Sequence, residues 1–341
     1  MMSSSRGFFE ALIGDGRPLI VFTGLCLALS GAFALFQSAT GHFLPQDVGF
    51  LGMTAADLCG VDECRIVHFM IHDRVSFGGG LIAIAVLYLW LAEFPLAAGQ
   101  PWAWWTLAAS GVVGFGSFLT YLGYGYLDTW HAAATLALLP CFAGGLWLTR
   151  GALRPPAGAS ASSPVRESGF AKRSWRIVLA PSVGVPWRSV EGVGRVCLLA
   201  TALGMIGAGL TIQFVGMTRV FVDTDLEFMR LDRDQLRLIN PRLIPLIAHD
   251  RAGFGGATAT AGLLTFACVW WGAPSRSLWQ ALLLGGIAGW TTAVGVHPAI
   301  GYVDPFHLAP AVTGATLFFI GLACSARSML GVPPPQATPE A

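Results

Sequence analysis

Read for its alternation of apolar and polar positions, the chain contains eight runs that nearly lack charge and approach the roughly 20 residues a helix needs to span a bilayer. They cover approximately residues 18–36, 77–96, 102–122, 130–148, 196–215, 254–271, 278–296 and 306–324. Glu93 is the one acid inside these limits, close enough to a helix end to reach the membrane interface. The first run, flanked by Arg17 and followed by Ser38-Ala39-Thr40-Gly41, could be mistaken for a signal peptide. It is read as a span because the fifth run holds the same place in a second copy of the pattern.

Composition agrees with a lipid environment. Of 341 residues 54% are hydrophobic and 11% charged, about half the charge of an ordinary soluble domain. The 43 glycines and 20 prolines are tolerated in membrane helices, where neighbours re-satisfy the backbone. With the N-terminus on one side, that side collects twelve of the 20 basic residues, eight of them between Arg150 and Arg195, while the other holds thirteen of the 19 acids. The positive-inside rule then makes both termini cytoplasmic. A bacterial inner membrane is the expected location.

The polar segments repeat. His72-Asp73-Arg74-Val75-Ser76-Phe77-Gly78-Gly79 returns as His249-Asp250-Arg251-Ala252-Gly253-Phe254-Gly255-Gly256. Gly125-Tyr126-Leu127-Asp128-Thr129-Trp130-His131 returns as Gly301-Tyr302-Val303-Asp304-Pro305-Phe306-His307 at nearly the same offset. Phe43, Asp47, Phe50 and Arg65 likewise match Phe221, Asp225, Phe228 and Arg242. The fold expected is an all-α integral membrane protein whose eight transmembrane helices form two parallel-repeat four-helix bundles. Its units are 1–149 and 195–327, joined by a cytoplasmic linker 150–194 and followed by a disordered tail 328–341. Part of the linker, Trp175 to Trp187, mixes aromatic, apolar and basic residues as a surface-lying segment does.

In each unit the second helix opens with His-Asp-Arg and the fourth with Asp-x-x-His, all on one face. A bland reading makes Asp73 and Asp250 helix caps and lets Arg74 and Arg251 snorkel to headgroups. The sharper reading pairs His72 with His131 and His249 with His307 across each bundle, as axial ligands of a haem iron. Gly78, Gly79, Gly255 and Gly256 would then clear space for the macrocycle. Arg74 and Arg251 would grip the propionates, with Tyr126, Tyr302, Asp128 and Asp304 orienting the imidazoles or closing the rim.

With these four histidines at the openings of the second and fourth helices, the chain resembles the haem A synthases. That resemblance implies two fused four-helix units, an inside N-terminus, and haem near the outer face. Cys59 and Cys64, present in the first outer loop only, resemble the cysteine pair of the bacterial members and form a candidate disulfide on an oxidising side. Where the family's motif has a glutamate three residues before the first histidine, this chain has Phe69 and Leu246. Asp73 and His68 are the remaining candidates for a catalytic role.

The reading that follows is a membrane haem b-binding oxidoreductase acting on haem or another lipophilic substrate, with an electron-donor protein as partner and no role for nucleic acid. One alternative uses His72, His131, His249 and His307 with Asp73, Asp128, Asp250 and Asp304 for non-haem Fe, Cu, Zn or Mn. Another is a carrier with parallel repeats, although the middles of the helices are apolar. The copies also differ: His68 corresponds to Pro245 and Tyr121 to His297.

Overall fold

The structure, a computed structural model, describes residues 13–123, 125–126, 128–153 and 186–331. Its described elements are all helical: α1 (Arg17–Ala39), α2 (Pro45–Leu51), α3 (Ala55–Cys59), α4 (Arg65–Leu91), α5 (Pro101–Leu119), α6 (Thr129–Thr149), α7 (Val190–Thr218), α8 (Asp223–Met229), α9 (Arg233–Ile239), α10 (Leu243–Trp271), α11 (Arg276–Ile300) and α12 (Pro305–Leu330). Starts are set by local chemistry. Proline occupies the first turn of α1, α2, α5 and α12, where its missing N–H costs nothing. Side chains of Asp128, Ser189, Asp232, Ser275 and Asp304 accept backbone N–H bonds at the starts of α6, α7, α9, α11 and α12. Gly301 closes α11 at φ 78°, a conformation glycine adopts without strain.

Seven of the long helices, α4 continuing to Leu96, are long and apolar enough to cross a membrane. The third predicted run forms α5 but is not among the seven, because Trp102, Trp104, Trp105 and several glycines dilute its hydropathy. Large apolar side chains such as Leu29, Phe36, Leu136 and Phe214 lie exposed on the peripheral helices, which fits contact with lipid.

Two helices form the centre. About 67% of the apolar window of α4 and 78% of that of α10 is buried, against 22–28% for the other five. Each central helix packs on the first long helix of its own half and on the third of the other: α4 on α1 and α11, α10 on α7 and α5, and α4 on α10. Glycines allow the close approach. Gly78 faces the Gly31 backbone of α1, and Gly255 faces Gly209 and Gln213 of α7. Gly79 meets Ala288 and Thr292 of α11, Gly256 meets Ser117 of α5, and Gly80 meets Ala257 where the central helices cross. The repeated glycines therefore seat helices, and they do not clear a slot for a macrocycle.

One apolar core lies along the helices, around Tyr88, Leu91, Leu107, Phe142, Leu264, Cys268 and Phe318. A second is a cap in which the segments between α1 and α4 and between α7 and α10 interlock through Leu51, Leu58, Phe221, Met229 and Leu236, packed with Phe69 of α4. Arg65 Nη1 donates to Phe228 O at 2.9 Å, and Asn240 Nδ2 donates to Leu51 O at 2.8 Å. Cys59 and Cys64 are joined in a disulfide within this cap.

The structure corrects several boundaries. α4 and α10 begin at Arg65 and Leu243, before both the apolar runs at 77 and 254 and the His-Asp-Arg strings expected to open these helices, so His72 and His249 lie inside their helices instead of opening them. Val190 starts α7 inside the predicted linker, and α12 runs to Leu330. The predicted surface segment lies outside the described residues up to position 185, as does the tail from 332.

Candidate metal site

The polar residues of the central helices form a layer between the two cores. Arg74 on α4 places Nη1 2.8 Å from Asp47 Oδ2 and Nε 2.8 Å from Asp250 Oδ2 on α10. Arg251 on α10 answers with Nη2 2.8 Å from Asp225 Oδ2 and Nε 3.3 Å from Asp73 Oδ2 on α4. Each guanidinium thus binds one acid of its own half and one of the other. Both guanidinium groups are engaged inside the protein, which corrects the snorkelling reading of Arg74 and Arg251; a propionate would have to share them with these acids. Asp73 and Asp250 sit in mid-helix as partners of these arginines and not as caps.

The histidines pair differently from the sequence expectation. His131 Nδ1 on α6 lies 3.0 Å from His249 Nε2 on α10. His72 Nε2 on α4 lies 3.2 Å from His297 Nε2 on α11, and its ring centroid is 5.6 Å from that of His307 on α12. The pairs His72/His131 and His249/His307 are not formed, because each central helix packs against the other half and turns its imidazole toward it. Trans axial ligands of a haem stand about 4 Å apart, twice a metal–nitrogen bond of about 2.0 Å, with the macrocycle between them. Separations of 3.0 and 3.2 Å lie closer to the roughly 3.3 Å edge of a coordination tetrahedron.

Among the described residues, two groups of three side chains bring their donor atoms within 4.8 Å of one another: Asp128, His131 and His249, and separately His72, His297 and His307. In the first, Asp128 is 2% and His249 3% exposed. Asp128 caps α6 by accepting the Trp130 N–H at 2.7 Å, and Gln46 Nε2 donates to it at 3.3 Å. Its Oδ2 stands 3.4 Å from His131 Nδ1. The Tyr126 ring packs on His249 with centroids 5.0 Å apart, and its hydroxyl donates to Asp47 Oδ1 at 2.5 Å. Burial, and then the Asp47 carboxylate, push the Tyr126 phenol far above its ordinary pKa. Tyr302 is raised likewise, by burial and Asp225.

Beside the first group opens a cavity of about 730 Å³. Phe33, Phe77, Leu81, Phe115 and Leu138 line its apolar length, and Arg74, Asp128, His131, His249 and Asp250 line its polar end. A carboxylate and two imidazoles in the lining of an apolar chamber are the donor set of a two-histidine, one-carboxylate metal site with positions left for exogenous ligands. The chamber has the size and lining of a small-molecule site.

Of the other residues singled out from sequence, Asp304 caps α12 through the His307 N–H at 2.7 Å and joins neither group. His68 also joins neither. The Tyr121 side chain lies outside what the structure describes. Sequence reasoning missed His297, Gln46 and the pairing roles of Asp47 and Asp225. Repetition of Asp47 as Asp225, in step with the arginines they bind, was the available signal. Compared with protein-family models, with curated proteins and with solved structures, the chain matches none of them.

Proposed function

We propose that this chain is a metal-dependent membrane oxidoreductase of non-haem type, in which Asp128, His131 and His249 hold the metal and the adjoining cavity admits a lipid-soluble substrate. The observation that carries the reading is the placement of two imidazoles and a buried carboxylate at the polar end of an apolar chamber. Iron is the metal this donor set suits best, with Mn, Cu and Zn as competitors. When bound, the metal supplies redox chemistry. The chain's own residues fix the ligands and give the chamber its apolar lining.

The same proposal places all eight long helices across a bilayer as two parallel copies of a four-helix unit, with both termini cytoplasmic and the histidine layer toward the outer leaflet. The lysine and arginine distribution supports the orientation. The repeated strings, and the matched ties of Arg74 and Arg251, support the duplication. A bacterial inner membrane and an electron-donor protein fit this reading.

A haem b on His131 and His249 is the second reading, and one observation favours it: the chamber is large enough for the macrocycle. It requires the imidazoles to part from 3.0 Å to about 4 Å. Purification in detergent from cells supplied with iron and haem decides between them by metal analysis and absorption. Near-stoichiometric iron or another first-row metal without a Soret band is the expected result. A Soret band with a positive pyridine haemochrome test supports the second reading, and absence of both metal and haem refutes both.

A further inference from the structure

We infer that His72, His297 and His307 form a second metal site, a tri-imidazole centre for a borderline divalent ion of the zinc or copper class. The inference does not rest on the first site. Its donors come from three helices, α4, α11 and α12, and the ring centroids of His307 lie 5.6 and 5.4 Å from those of His72 and His297. The three donor atoms lie within 4.8 Å of one another.

Hydrogen bonding prepares two of these imidazoles as ligands. His72 Nδ1 stands 2.9 Å from Asp73 Oδ1. An ionised carboxylate only accepts, so Nδ1 carries the hydrogen and the bare Nε2 faces His297. Tyr302 donates its hydroxyl hydrogen to Asp225 Oδ1 at 2.9 Å, and His307 Nδ1 stands 3.0 Å from the same phenol oxygen. The phenol has one hydrogen, and the charged, nearer Asp225 oxygen takes it in preference to Thr224 Oγ1 at 3.1 Å, so His307 Nδ1–H donates to the phenol and its Nε2 is left bare. Carboxylate anchoring of a ligand histidine, direct for His72 and through Tyr302 for His307, is how metal sites fix tautomer and orientation.

The ligand set and its separation from the chamber distinguish this site from the first. Its ligands are all neutral imidazoles, a set that suits zinc and copper. Nearby, the carboxylates of Asp73 and Asp225 share the guanidinium of Arg251, leaving an excess negative charge that a dication offsets. His72 and His297 are each 3% exposed and the His307 side chain 19%, Phe254 meets His72 edge-on at 5.9 Å, and none of the three histidines lines the chamber. A metal here is held by protein and does not meet the substrate. His297 has no histidine counterpart in the first half, where Tyr121 stands, so the two halves carry different centres.

The test is titration of the metal-stripped full chain in detergent with Co²⁺, read by visible absorption and by bound metal per chain. Wild type is expected to bind two equivalents, His297→Phe and His297→Gln one fewer, and His131→Ala to lose the other. Tyr302→Phe keeps the site and weakens it by about 10–100-fold. If the first site fails, wild type binds one equivalent and both His297 variants none. The inference is overturned if monodisperse His297 variants bind as much Co²⁺ as wild type. It is equally overturned if wild type binds none, or only one equivalent that His131→Ala abolishes.

Discussion

Arg74 and Asp250, one from each half of the chain, meet 2.8 Å apart where the two central helices cross. Asp250 is almost wholly enclosed, with its side chain 8% exposed, and Arg74 also holds the buried Asp47, so removal of the arginine strands two carboxylates in a poorly solvated layer. Breaking a buried pair by removing one partner costs about 3–5 kcal/mol. Arg74→Met should lower unfolding stability in detergent by at least that amount. Asp250→Asn leaves Arg74 paired with Asp47 and should cost less. An Asp250→Asn variant at least as unstable as Arg74→Met would show that the cluster acts through something other than charge compensation.

The central glycines give a second prediction. A Cβ on Gly255 would meet the backbone of Gln213 and Gly209, whereas nothing lies within 4 Å of one on Gly207. Gly255→Leu should destabilise by at least about 1–3 kcal/mol through overpacking. Gly207→Ala should be neutral or stabilise by up to about 1 kcal/mol, the helix propensity difference. Thermal unfolding of both variants in one detergent reads the contrast.

Alkaline pH provides a third. Tyr126 and Tyr302 have phenol pKa values raised in the folded state by burial and by Asp47 and Asp225. A raised folded pKa contributes stability that is fully present below the unfolded value of about 10 and is lost as pH rises toward the folded value. Unfolding midpoints should therefore be insensitive to these phenols near neutral pH and fall above about pH 10. Tyr126→Phe and Tyr302→Phe should each blunt that alkaline fall. A profile unchanged in both variants would remove the phenols from the account.

The chamber yields a fourth. Ala134 lines it without belonging to either histidine group. Ala134→Trp should reduce co-purifying lipid-soluble ligand, measured by mass spectrometry of the extracted protein, by at least about tenfold, or about 1.4 kcal/mol. Bound metal should stay at the wild-type level.

The helices were legible because a lipid-facing helix leaves a long apolar run, and the seven apolar helices lie where those runs predict. The extent of α4 and α10 was not, since His72, Asp73, Arg74 and their counterparts interrupt the runs. Those residues belong to the helices because ion pairs across the molecular centre satisfy their charges, and hydropathy along the chain does not see a partner in the other half. The same long-range packing explains the histidines. Their presence at four repeated places was readable, but which imidazole faces which is set by the packing of α4 on α11 and of α10 on α5. His297 stood in the sequence only as a difference from Tyr121, and its role follows from α11 bringing it to 3.2 Å from His72. The glycines were read as space for a cofactor, and they serve helix contact.

The first metal site is tested most directly by anaerobic Fe²⁺ loading of the full chain, addition of nitric oxide and electron paramagnetic resonance. The account predicts the quartet-spin signal of a non-haem ferrous nitrosyl in wild type, retained in His297→Phe and lost in His249→Ala. No such signal in iron-loaded wild type, or an undiminished one in His249→Ala, would contradict it.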